Sequence, residues 1–382
     1  MEGLLPDATI EVGGNASLLD AAIEAAPEAP AVFLIWPREG SPYLARTTAL
    51  KRRLRRLLGE RAQPGRLLYL RPLAHRIEYR LTASRLETSL VLYAWARRHF
   101  PQTYVSLLKL RMPPYVKLIL SNRFPRCQIT TRLSGARALY YGPFRNRASA
   151  EQFENRFLDL FQIRRCEEDL DPSPQHPGCI YGEMNLCLRP CQAAVTEEEY
   201  RSEVARVMEF LRTDGRSLQA SVTRARDQLS EELNFEEAAR QHRTLEKIEE
   251  TLRLRDELAR DVERLHGVAV TRAAAPMTVL LWFLIAGTWQ APRPFPLQPP
   301  DGRSVSLDSR LRDLAASLAP EKTTVRERQE HLALLARWYY SSFRDGEWIP
   351  FDSLEAIPYR RLVHAISRLA RAGDAPASGA GV

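Results

Sequence analysis

The chain has 382 residues, 45% of them hydrophobic and 27% charged, with 55 Lys and Arg against 47 Asp and Glu and a net charge of +8. That apolar content supports packed cores and excludes a disordered chain, and the length predicts two or three domains. The longest apolar run, Val279 to Ala286, is too short for a membrane-spanning helix, while the positive charge points to a polyanion such as nucleic acid unless it only reflects an Arg-rich composition.

Residues 1–26 show no core pattern, and Gly13, Gly14 and scattered acids predict a loosely held leader. Ala31 to Trp36, a Pro37–Gly40 turn and Pro42 to Ala45 predict a β-hairpin. A helix follows, capped by Thr48, with Leu50, Leu54, Leu57 and Leu58 on one face. Its other face is Lys51, Arg52, Arg53, Arg55 and Arg56. Five cations with no acid among them repel one another, which phosphate contacts explain better than a solvated face does. Leu67–Leu70 and Ile77–Leu81 predict strands, and Glu87–Arg98 a helix stopped by Pro101. Tyr115–Leu120 and Cys127–Arg132 predict a second hairpin with Cys127 in the core, and Ser149–Phe161 a helix. Arg123, Arg126, Tyr140, Tyr141, Phe144, Arg145 and Arg147 interleave aromatics with cations. Such a mix either grips distorted or single-stranded DNA or forms a half-buried sheet edge.

Four of the five cysteines lie within 26 residues: Cys166, Cys179, Cys187 and Cys191, separated by twelve, seven and three residues. Pro172, Pro174, Pro177, Gly178, Gly182 and Pro190 supply the turns that could bring them together. No secretory signal opens the chain, so a reducing cytoplasm is expected, where stable disulfides are rare. Metal or cluster binding is the stronger reading. One distant cysteine followed by three bunched ones suits an iron–sulfur cluster at least as well as a structural zinc.

Thr196 and Glu199 form a capping box for the next helix. Residues 217–265 predict a helical hairpin. Leu218, Val222, Ala225 and Leu229 stripe its first arm; Asn234 caps the second, striped by Phe235, Ala238, Ala239, His242, Leu245, Ile248 and Leu252. The small alanines invite a close-fitting partner helix at Phe235, Ala238 and Ala239. His242 is expected to pack at the edge of this stripe. Strands at Gly267–Thr271 and Met277–Ile285, a Pro-rich stretch from Pro292 to Pro300, and helices near Val325–Phe343 and Pro358–Arg371 complete the fold. The tail from Ala372 is small and polar enough to be disordered.

The stretches FPRCQITTR, ALYYGPF, GCIYGEMNLCLRPC, LNFEEAARQHR and WYYSSFRDGEWIPF, in that order, resemble the N-terminal half of the UvrC family, the excinuclease C subunit of bacterial nucleotide excision repair. The resemblance covers residues 27–371 and implies an α+β chain. A GIY-YIG nuclease-like domain would occupy 27–107, a Cys-rich region 108–215, a UVR hairpin that pairs with UvrB 216–262 and a small connector 263–371. The leader at 1–26 and the tail at 372–382 flank them. The family's ribonuclease-H-like nuclease and helix-hairpin-helix units would lie beyond the chain.

The resemblance also implies a 4Fe-4S cluster on the four cysteines, with structural zinc as the alternative. It places the family's catalytic residues at Tyr43, Arg46 and Arg53. The first signature tyrosine, however, matches Phe33, and the glutamate that holds the divalent cation matches Leu92. Without that carboxylate, Mg²⁺ or Mn²⁺ is not expected at the site. Glu87 lies five residues away and, at about 3.6 residues per turn, points to another face. What remains is DNA binding by Lys51, Arg52, Arg55, Arg56, Arg123, Arg126 and Tyr141. The expectation is a UvrC-like repair protein that binds damaged or distorted duplex and a UvrB-like partner without cutting. The alternatives are an active single-cut endonuclease and an iron–sulfur DNA-binding regulator outside repair.

Overall fold

The computed structural model describes residues 4–60, 68–135, 137–298 and 305–371. Three antiparallel sheets, each with its own helices, follow one another along the chain. The α+β class is therefore observed.

The first unit comprises β1 (Ala8–Glu11), α1 (Ala16–Ala25), β2 (Ala31–Trp36), β3 (Tyr43–Thr47), α2 (Leu50–Leu58), β4 (Arg76–Leu81), α3 (Arg85–His99) and α4 (Tyr104–Leu107). Its sheet order is β1-β4-β2-β3. Strand β2 reads as an unbroken apolar run because both of its faces are covered. Phe33 and Ile35 face a core with α1 and α2, while Val32 and Leu34 face a core with α3. The loose leader expected at 1–26 is not observed over residues 8–25. Ala8–Glu11 pair with β4, and Asn15 caps α1, which buries Leu19, Ala22 and Ile23. Helix α2 buries its four leucines as expected, but Thr48 does not cap it; the Thr47 hydroxyl instead accepts the Ala49 N–H. Leu68–Leu70 form no strand, and Leu67 lies outside the described residues.

The second unit is β5 (Tyr115–Ile119), β6 (Arg126–Thr130), β7 (Ala138–Gly142), α5 (Arg147–Leu158), α6 (Ile180–Glu183) and α7 (Glu197–Arg212). The Thr196–Glu199 capping box starts α7. Helices α8 (Arg216–Glu231) and α9 (Phe235–Arg253) then form an antiparallel hairpin, and β8 (Arg260–Asp261) returns to pair with β7. His242 is exposed beside Glu246 rather than packed.

The third unit is β9 (His266–Arg272), β10 (Thr278–Ile285), β11 (Thr288–Trp289), β12 (Arg293–Pro296), α10 (Leu307–Ala316), α11 (Val325–Tyr339), β13 (Glu347–Phe351) and α12 (Tyr359–Arg371). The Pro-rich stretch thus supplies a strand, β12, paired to β10 on one side. That position suits proline, which cannot donate to a ladder.

Helix α3 is buried nearly all round because the first sheet lies on one side and α11 on the other. At that junction the Glu330 carboxylate accepts the Tyr93 hydroxyl at 2.7 Å and the Tyr104 hydroxyl at 2.6 Å, and Arg97 pairs with Glu327. Among the described residues no helix is long and apolar enough to cross a membrane. The tail expected to be disordered lies outside the described residues.

Candidate nucleic-acid interface and cysteine loop

Between α2, β3 and the start of α3 lies a cavity of 860 Å³, lined by Arg46, Arg52, Arg53, Arg56 and Arg85 together with Thr47, Thr48, Thr82, Ser84 and Thr88. Guanidinium forks and hydroxyls are the donor types that hold phosphate oxygens. Arg53 Nη2 donates to the Tyr43 hydroxyl at 3.0 Å, and among the described residues no hydrogen-bond partner meets its buried Nε. These two residues, 10 apart in sequence, are brought together because β3 runs directly into α2.

The basic helix is not free of acids. Glu24 on α1 accepts from Lys51 Nζ at 3.1 Å and from Arg55 Nη2 at 2.8 Å, so these two cations turn away from the cavity. The Lys51 and Arg55 pairs hold the Glu24 carboxyl below its ordinary range. Arg52 and Arg56 keep to the cavity side.

Phe33 is 0% exposed, its ring centroid 6.2 Å from that of Tyr43. Leu92 is half-buried against the core shared by α3 and α11. Glu87 is no substitute ligand. Its carboxylate accepts the Ala83 N–H at 2.8 Å, its own N–H donates to Ser84 Oγ, and burial pushes its pKa up to about 7. Among the described residues, the one carboxylate lining the cavity is Asp345, from the loop before β13. Asp345 Oδ2 accepts the Arg85 N–H at 2.5 Å and Oδ1 accepts Trp338 Nε1–H at 3.1 Å. Sequence reasoning missed this residue, since nothing local links positions 260 apart.

The aromatic group expected to stack on bases is instead internal. Tyr141 is 1% exposed, stacked on Phe153 at 5.3 Å, with its hydroxyl donating to Asp214; Tyr140 and Phe144 are also buried. Tyr141 alternates into the second core on β7, so it cannot reach a nucleobase. Arg123 is exposed but pairs with Glu197, and Arg126 donates to the Cys127 carbonyl.

The four clustered cysteines are free thiols: Cys187 and Cys191 buried, Cys166 half-buried and Cys179 exposed. Burial pushes the Cys187 thiol up to about 11. The Arg189 N–H, donating to its Sγ at 3.4 Å, opposes this, and Cys166, Cys179 and Cys191 reinforce it. Left-handed backbone at Gly178, Asn185, Arg189 and Ala193 makes the turns. Arg164, 2% exposed, donates to the carbonyls of Phe124 and Glu168 and lies with Nη1 3.6 Å from Cys166 Sγ, anchoring the start of the loop. As they stand, no three His, Cys, Asp or Glu side chains among the described residues converge closely enough to hold a metal ion.

On the hairpin, Phe235 is 63% exposed and Ala239 is exposed beside it, whereas Ala238 is 8% exposed and faces α8. The expected partner stripe is thus split between an outward pair and an inward alanine. Leu233, at the hairpin tip, is also exposed.

Comparison with known proteins gives a consistent picture. Residues 114–210 match the family described as UvrC/Cho excinuclease, middle domain. The chain is similar to the UvrABC system protein C of Moorella thermoacetica, 27% identical over 262 residues, covering 68% of this chain and 42% of that protein. It is similar to the protein of the same description from Lachnospira eligens, 23% identical over 75% of this chain and 48% of that protein. A third, from Caldanaerobacter subterraneus, is 26% identical over 56% of this chain and 35% of that protein. The chain spans less than half the length of these relatives. No solved structure matches.

Proposed function

We propose, from its similarity to the UvrC family, that this chain is a DNA-binding protein of nucleotide excision repair whose first unit holds phosphates without cutting them. In this reading the first unit is a GIY-YIG-type domain that has kept the anion-holding half of its site and lost the metal-holding half. The observation that carries it is Leu92, a half-buried apolar side chain on α3 at the position where, by the family resemblance, a carboxylate would stand. A held divalent cation polarises the phosphate and stabilises the leaving oxygen. Arg46 and Arg53 supply positive charge but no Lewis acid, and Phe33 has no hydroxyl to move a proton.

Cys166, Cys179, Cys187 and Cys191 would hold a 4Fe-4S cluster, whose donor number and thiolate chemistry they fit; structural zinc is the alternative. Closing the ligand set requires the loop to draw the exposed Cys179 inward. Bound there, either group would cross-link the loop. The α8–α9 hairpin, read as a UVR motif, offers Leu233, Phe235 and Ala239 to a UvrB-like partner.

A second reading, an active single-cut endonuclease, is favoured by Asp345, the carboxylate that reaches the arginine cavity, and by the retained Tyr43–Arg53 hydrogen bond. The first reading is preferred because both Asp345 oxygens are engaged by N–H donors of Arg85 and Trp338. Incision assays with Mg²⁺ or Mn²⁺ decide between the two readings, and binding titrations on a bubble-containing duplex test the interface that both share. Arg46→Ala with Arg53→Ala is expected to weaken binding and lower its salt dependence, while Asp345→Asn leaves binding equal or tighter. Unchanged binding in the double variant would remove the cavity from the interface.

A further inference from the structure

We propose that α12 carries a second nucleic-acid backbone contact, in a groove of the third unit separate from the arginine cavity; this rests on the DNA-binding reading above. The helix, YRRLVHAISRLAR, has no acidic residue. Its core face is Leu362, Ala365 and Ile366, all buried, and its outward face presents Arg360, Arg361, His364 and Arg368, all exposed. These four line a groove of 650 Å³.

Three carboxylates, Asp308, Glu347 and Glu355, also line the groove and offset only part of its charge. Arg368 pairs with Glu347, and Asp308 is taken by Arg312. Arg360 and Arg361 have no carboxylate partner among the described residues. Two adjacent guanidinium groups in the first turn of a helix repel each other and oppose the helix dipole. A bound polyanion relieves both costs.

The spread of charge argues for a chain of phosphates rather than one small anion. Arg360 and Arg368 are eight residues apart, about 12 Å along the helix axis. A nucleic-acid strand advances about 3.4 Å per phosphate along its axis, so that distance corresponds to roughly three or four phosphate steps. Arg312 lies over the Tyr359 ring at 4.2 Å and Tyr359 packs against the third-unit core, so the ring is engaged within the protein rather than free to stack on a base. Ile357 in the groove is buried and Pro358 and Tyr359 are half-buried, so charge rather than a protruding apolar side chain is what the groove offers most openly. The contact is therefore to backbone and independent of sequence.

The test is fluorescence anisotropy with the full chain and a short undamaged duplex at several salt concentrations. Arg360→Ala with Arg361→Ala should lower the slope of log K against log salt by about 1.8, and weaken binding roughly ten- to a hundredfold near 0.1 M salt. Arg360→Lys with Arg361→Lys should restore the slope. Arg224→Ala with Arg243→Ala, which removes the same charge from the hairpin, should leave both quantities unchanged. If the wild type binds and the α12 double alanine variant matches it in slope and affinity, the proposal is overturned while the DNA-binding reading stands. Should that variant keep DNA binding but lose binding to polyglutamate, the groove belongs to an acidic protein segment instead. A wild type that binds no duplex at any salt overturns the DNA-binding reading and this proposal with it.

Discussion

Glu87 and Leu92 lie five residues apart on α3 and face different demands. Glu87 is a buried carboxylate used to secure the start of the helix, and burial raises its pKa to about 7 from an ordinary 4.5. The native state therefore binds a proton that the unfolded chain has released, so this group's contribution falls as pH rises from about 4.5 to 7. Glu87→Gln keeps the acceptor for the Ala83 N–H and removes the titration. Its stability advantage over wild type should grow across that window by up to roughly 3 kcal/mol, read from urea midpoints at each pH. A constant difference would mean that Glu87 titrates normally. Leu92→Glu should instead cost about 1–3 kcal/mol at neutral pH by placing a carboxylate against an apolar core. That residues 87–98 are helical and that Glu87 and Leu92 point to different faces was legible in sequence, because the spacing to Pro101 sets the register along one helix. Tyr141 was misread because a cation-rich, aromatic-rich run looks the same whether its rings face solvent or core. Asp345 could not be found at all, since its partner Arg85 is brought near only by the packing of α11 on α3.

At the scale of elements, the leucine stripe of α2, the caps at Thr196 and Asn234 and the hairpin α8–α9 followed from spacing alone. Strand β1 and helix α1 did not, because a strand of four residues and an alanine-rich helix leave little periodic signal. That omission also hid Glu24, and with it the reason why Lys51 and Arg55 turn away from the cavity. The hairpin makes a paired prediction. Ala239→Arg, on the exposed face, should leave the melting temperature within error of wild type and abolish capture of a UvrB-like protein in pull-down. Ala238→Arg, on the face packed against α8, should destabilise the hairpin itself, by about 1–3 kcal/mol. Equal capture by Ala239→Arg would assign that face to solvent. The cysteine loop makes another prediction: anaerobically purified protein should be brown, and Cys187→Ser should lose the colour and the iron together. Colourless protein with one zinc per chain would replace the cluster with a structural metal.

Across the whole molecule, the first and third units share one core, in which Leu86, Leu90 and Trp95 of α3 meet Leu332, Leu335 and Trp338 of α11. The Tyr93–Glu330–Tyr104 hydrogen bonds and the Arg97–Glu327 pair sit at the same junction. Units joined in this way should unfold together. Tryptophan fluorescence, dominated by this core, and far-UV circular dichroism should give coincident transitions, and Tyr93→Phe should shift both equally. Separate transitions would show that the units are independently stable. Beside this junction lies the arginine cavity, which we propose binds DNA but does not cut it. The most direct measurement is incubation of the purified chain with nicked, bubble and lesion-bearing duplexes, with Mg²⁺, with Mn²⁺ and with neither, under conditions where binding is saturated. The account predicts bound but intact DNA in every case. Metal-dependent incision by the wild type, abolished by Tyr43→Phe or Arg53→Ala, would contradict it.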